Sequence, residues 1–174
     1  SIGNAGNGIT VYDSVIDIGT PSAGNTISGN GNNGISANSG TLSIRGNRIG
    51  TDASGTQARA NLTGIGIGGA TVLVANNLIS GNTQTGIAIN SLAADAEITD
   101  NRIGTDAAGN AKIGNEGSGI RVVKAAPGLI IGAPGHGNQI SGNYRGITLD
   151  DTTADILVQG NNIGLNAAQN GKLG

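Results

Sequence analysis

Two short patterns alternate strictly along this chain, and together they leave few folds open to it. Gly-Ile occurs at Gly8-Ile9, Gly34-Ile35, Gly64-Ile65, Gly86-Ile87, Gly119-Ile120 and Gly146-Ile147. Asn-x-Ile occurs at Asn25-Ile27, Asn47-Ile49, Asn77-Ile79, Asn101-Ile103, Asn138-Ile140 and Asn161-Ile163. Six copies of each define six units, with successive Gly-Ile pairs 22 to 33 residues apart. Periods of that size belong to solenoids, whose repeats bury their apolar faces by stacking on one another.

The units are of two kinds. The first, third and fifth end Ile-Ser-Gly-Asn, at 27–30, 79–82 and 140–143. The others end Ile-Gly-Thr-Asp, or Ile-Gly-Leu-Asn in the last copy, and open a longer connection at 53–63, 107–118 and from 167 onward. The chain thus reads as three double repeats within a single β-helix domain, residues 1–174. Ile2-Gly3 and Leu173-Gly174 both align with Ile113-Gly114, so the two ends share a phase and no distinct cap is visible. Solenoids need polar caps because open rungs leave strand edges unpaired. The expectation is a segment of a longer array or a head-to-tail stacking unit.

Local chemistry selects strands. Leu42-Ser43-Ile44, Val72-Leu73-Val74, Leu129-Ile130-Ile131 and Ile156-Leu157-Val158 are aliphatic or β-branched. Gly and Asn interrupt such runs every few residues, a spacing no helix tolerates. The same pattern returns in the same direction after each unit, so like stacks on like. Parallel crossovers are strongly biased to the right hand. The predicted fold is all-β: a right-handed parallel β-helix of about six rungs, a rod of roughly 25 to 30 Å at about 4.8 Å per rung.

Each repeated residue then has an expected place. Ile9, Ile35, Ile65, Ile87, Ile120 and Ile147 form one inward column; Ile27, Ile49, Ile79, Ile103, Ile140 and Ile163 form another. Asn25, Asn47, Asn77, Asn101, Asn138 and Asn161 form a ladder at a bend. Asn suits that place because it tolerates the left-handed conformation and its amide satisfies backbone groups at the turn. Gly supplies positive φ at the other corners.

Composition narrows the functional classes. The chain has 174 residues, 33 of them Gly, no Cys, Met, Trp or Phe, and a formal net charge of -2. Charged residues make up 11%, against about 25% in typical domains. Without a basic face, a nucleic-acid partner is not expected. With no apolar run near 18 residues, neither is membrane insertion. No disulfide or Cys-ligated metal is available.

Residues 47–56, 101–110 and the Gly-Asn-x-Ile-Ser-Gly-Asn segments at 24–30 and 137–143 resemble repeats of large bacterial secreted or surface-attached parallel β-helix proteins. In fold that family is similar to the pectin-lyase-like superfamily. The resemblance covers essentially the whole chain. It implies an extracellular or cell-surface location and an adhesive, array-forming role, and it brings no site residues with it. Glycan lyases on this fold are similar to one another in using clustered carboxylates for Ca²⁺ with a basic residue nearby.

The candidate chemistry is sparse. Gly64-x-Gly66-x-x-Gly69 matches a dinucleotide fingerprint, yet Val72-Leu73-Val74 follows where that motif requires a helix. His136, the sole histidine, aligns with Ala23 in the sister loop and reads as solvated. Asp95, Glu97 and Asp100 fall in the fourth unit and Asp150, Asp151 and Asp155 in the sixth; Lys124 aligns with Asp151. Asp52 and Asp106 offer carboxylates of the kind that hold Ca²⁺. Asn166 replaces them in the third copy, which favours an Asx turn. Arg48 and Arg102 share an outward column with Thr26, Leu78, Gln139 and Asn162, and Asn61-Leu62-Thr63 is a glycosylation sequon.

From these residues no catalytic group, metal ligand or cofactor is assigned, apart from the Ca²⁺ alternative at Asp52 and Asp106. The expected function is a non-catalytic structural or interaction module of an extracellular or cell-surface protein, adhesin-like or filament-forming. Its partners would be neighbouring β-helix repeats or copies of itself end to end, with glycans as a further partner. The alternative is a β-helix that binds or degrades polysaccharide.

Overall fold

A computed structural model describes residues 3–90, 95–124, 127–151 and 155–173. Among these, eighteen short strands form three parallel sheets of six. The first sheet contains Ile9–Val11, Asn33–Ala37, Thr63–Ile67, Ile87–Asn90, Ser118–Val123 and Arg145–Asp150. The second contains Ser14–Ile18, Gly40–Arg45, Thr71–Ala75, Glu97–Thr99, Ile130–Ile131 and Leu157–Val158. The third contains Thr26–Ile27, Arg48–Ile49, Leu78–Ile79, Arg102–Ile103, Gln139–Ile140 and Asn162–Ile163. Each rung contributes one strand to each sheet, and six rungs make about five turns of a three-sided parallel coil.

Register places the repeated isoleucines in columns. Ile9, Ile35, Ile65, Ile87, Ile120 and Ile147 pair successively across the first sheet. Ile27, Ile49, Ile79, Ile103, Ile140 and Ile163 do so across the third. Ile35, Ile65, Ile87, Ile120, Ile27, Ile49, Ile79, Ile103 and Ile140 of these columns, with Ile44, Val74, Ile98 and Ile131 of the second sheet, fill a wholly aliphatic core against which Ile9 and Ile147 pack, whereas Ile163, expected to face inward, lies outside it. In the sixth rung the core columns emerge: Val158 and Ile163 are exposed, at 40% and 49%.

The six asparagines of Asn-x-Ile form a continuous amide ladder. Each donates from both its backbone N–H and its Nδ2 to the Oδ1 of the next, from Asn25 through Asn47, Asn77, Asn101 and Asn138 to Asn161. The left-handed backbone expected of these residues lies one position earlier, at Gly46, Asn76, Asp100 and Gly160. The ladder asparagines hold their places for a different reason. Asn101 Nδ2 also donates to Val74 O at 2.8 Å and Thr99 O at 2.9 Å, carbonyls at the bend of its own rung and the one below. The Asn77 backbone N–H and Nδ2 both rely on Asn101 Oδ1, and buried donors left without an acceptor would cost stability.

A second ladder runs up the corner between the third and first sheets. It joins Asn4, Asn30, Asn61, Asn82, Asn115 and Asn143 by the same Nδ2-to-Oδ1 bonds. It also explains the Gly of Gly-Ile, which is needed for close approach and not for positive φ. A Cβ on Gly64 would lie 2.5 Å from Gly86 O, 2.8 Å from Ile79 Cγ2 and 3.0 Å from Asn82 Nδ2. The dinucleotide-like Gly64 and Gly66 lie within the parallel strand Thr63–Ile67.

Candidate functional site

The longer connections of the even rungs are hairpins that leave the coil after its third sheet and return to it. Thr51 bridges Ala58, Thr105 bridges Lys112 and Leu165 bridges Lys172. Asp52 closes the first: its Oδ1 accepts from the backbone N–H groups of Thr56 at 3.0 Å and Gln57 at 3.2 Å, and Ser54 Oγ donates to the same carboxylate. Asp106 does likewise with Asn110 and Ala111, and Asn166 with Asn170 and Gly171. An Asn amide reproducing the bonds of two carboxylates shows that the position demands an acceptor. Among the described residues no group of three or more His, Cys, Asp or Glu side chains could hold a metal ion.

The Ser54 hydroxyl, followed by the Thr56 and Gln57 N–H groups, holds the Asp52 carboxyl below the usual carboxylate range. A depressed folded-state pKa stabilises above the unfolded value, and that stabilisation disappears as pH falls through the folded one. Acid should therefore loosen this hairpin first at its closing bonds. A carbon-detected NMR titration should find Asp52 titrating low, and Ser54→Ala should move it upward. An Asp52 curve unchanged in Ser54→Ala would remove the hydroxyl from this account.

The hairpins stack on one another across two rungs, with Ala107 N donating to Gly55 O and Ala167 N to Gly109 O, both at 2.9 Å. Between them lie the outward residues of the odd rungs. Leu78 is 7% exposed, and Gln139, 9% exposed, donates from Nε2 to Gly109 O and Leu165 O. The column of Thr26, Arg48, Leu78, Arg102, Gln139 and Asn162 is therefore partly roofed. Sequence pattern alone treats this column as uniformly outward; the stacked hairpins make it otherwise.

The acids do not gather in one place. Asp150 pairs with Arg121 at 2.9 Å and Asp151 with Lys124 at 3.7 Å, both exposed pairs of small energetic weight. Asp100 meets His136 Nδ1 at 3.0 Å, so the exposed histidine has a partner that the loop alignment did not suggest. Asp95 and Glu97 line a cavity of about 350 Å³ on the outer face of the second sheet, together with Asp17, Thr41 and Thr71. Asp17 is the acid that sequence reasoning missed there. It sits in register with Ser43, Leu73 and Glu97, a relation visible once the rungs are aligned. Asn61 of the sequon is 1% exposed and bound into the second ladder, closed to glycosylation in the folded chain. Tyr12 and Tyr144 are both exposed, in the first and sixth rungs, and form no shared platform.

A family model described as a right handed beta helix region matches residues 1–163. No curated protein and no solved structure matched the chain.

Proposed function

Because this chain belongs to the right-handed β-helix family, we propose that it serves as a rigid, non-catalytic solenoid module of an extracellular or cell-surface protein, adhesin-like or filament-forming, and that further parallel rungs stack on its ends. One observation carries the reading. Both amide ladders and the isoleucine columns run through all the rungs, so the recurrent side chains are engaged in building the rod. Sixth-rung apolar groups, Ile163 and Val158 among them, present the surface that a further rung would cover, whether from neighbouring repeats or from another copy.

The test is mass-resolved solution size over a range of protein concentrations, with and without Ca²⁺. Growth into regular multiples, suppressed by Ile163→Asp, is the expected result. A strict monomer at every concentration would overturn self-stacking. Growth only with Ca²⁺ would reassign Asp52 and Asp106 as ligands.

The cavity beside Asp95 and Glu97 favours a second reading, in which the outer face of the second sheet binds or cleaves polysaccharide. Release of reducing or unsaturated ends from a glycan panel, abolished by Asp95→Asn with Glu97→Gln, would establish it over the first.

A further inference from the structure

Two cavities on the outer face of the third sheet, of about 230 and 470 Å³, share Asn76, Asp100 and Arg102. They therefore form one groove along the rod axis. One side is the corner between the second and third sheets, with Pro21, Gly46, Asn76 and Gly135. The other side is the hairpin stack, through Ala107, Ala167 and Gln169.

The floor alternates in chemistry. Odd rungs supply Leu78, which packs beneath the first hairpin at the Gly55 and Ala107 contact, and Gln139, which is bonded to the hairpins. Even rungs supply Arg48 and Arg102. Among the described residues neither guanidinium has an ion pair or hydrogen bond, whereas Arg45, Arg59, Arg121 and Arg145 each have a charged, polar or aromatic partner. The neighbouring acids are engaged elsewhere: Asp52 and Asp106 close their hairpins, and Asp100 faces His136. Arg48 and Arg102 both pair in register with Leu78, so they stand two rungs apart, about 10 Å along the axis.

We propose that this groove binds a linear acidic polysaccharide lengthwise, with Arg48 and Arg102 each taking one acid group, carboxylate or sulfate ester, from alternate sugars. Guanidinium presents paired donors that match such oxyanions. The groove's largely polar walls suit hydroxyl-rich rings lying between the two charges. The two arginines belong to the second and fourth rungs and not to a terminal one, so the failure of this site and the failure of end stacking are separable.

The experiment measures binding of hyaluronan oligosaccharides, which carry a carboxylate on alternate sugars, to the whole chain at low and physiological salt. Chondroitin sulfate tests the sulfate source, dextran is the neutral control and an oligothymidylate tests the other class of polyanion. Arg48→Ala and Arg102→Ala should each weaken hyaluronan or chondroitin sulfate binding about five- to tenfold, and the double variant should abolish it. Arg121→Ala, on the first sheet, should leave it unchanged, and all variants should keep the wild-type circular dichroism and Tm. Absence of binding to both glycans, binding indifferent to the double variant, or equal binding of oligothymidylate would each overturn the proposal.

Discussion

Asn101→Leu should destabilise the protein by about 3 to 5 kcal/mol, although leucine keeps the γ-branched shape of the side chain. Asn101 is 1% exposed and its side chain takes part in five hydrogen bonds. Leucine takes the side-chain donor from Val74 O and Thr99 O and removes the acceptor for the Asn77 backbone N–H and Nδ2. Asn82→Leu does the same to the second ladder, where the Asn61 amide groups lose their acceptor. By contrast Asn110→Leu, at an exposed hairpin tip whose only ladder-like bond is through its backbone, should change stability by less than about 0.5 kcal/mol. A central break in a quasi-one-dimensional fold also weakens coupling between its halves. Denaturant unfolding of Asn101→Leu should therefore show a lowered midpoint and a broadened transition. Equal, small effects at Asn101 and Asn110 would refute the ladder's energetic role.

Gly104→Val should be the most damaging single substitution, costing more than about 4 kcal/mol or preventing soluble expression. Gly104 has φ +90°, in the region that β-branched residues avoid. Its Cβ would also lie 2.3 Å from both Ser141 O and Asn143 Oδ1. Those atoms belong to the fifth rung, so relief requires prising two rungs apart where Ser141 N bonds Ile103 O. Gly104→Ala should act in the same direction with a smaller loss. Gly6→Ala, with open space around it and no positive φ, should be nearly neutral. Thermal unfolding of the three variants checks the ordering, and a tolerant Gly104 would refute the rung packing described.

The fold was legible because stacking forces like residues onto like. Once Gly-Ile and Asn-x-Ile recur in phase, the register of two sheets follows, and it pairs Ile65 with Ile87 and Ile79 with Ile103. The second ladder was hidden by an insertion. Its Asn follows the third-sheet Ile by three residues in odd rungs, as at Asn82, and by twelve in even rungs, as at Asn115. Counting backward from Gly-Ile exposes it, since an Asn stands three or four residues ahead of each Gly. The reason given for Asn at the bend was incomplete. Left-handed tolerance is needed at Asn76, while Asn77 is needed for its amide. The groove was illegible for a three-dimensional reason. Arg48 and Arg102 gain walls only when hairpins two rungs apart stack, and nothing in their own repeats signals that contact.

Residue-resolved amide hydrogen exchange tests the central claim most directly, namely that two continuous asparagine ladders hold the rod together. The account predicts the slowest exchange at the backbone amides of Asn61, Asn77, Asn82 and Asn101, with protection decreasing from these middle rungs toward both ends in the two ladders alike. Fast exchange along either ladder, alongside protected strands, would contradict it.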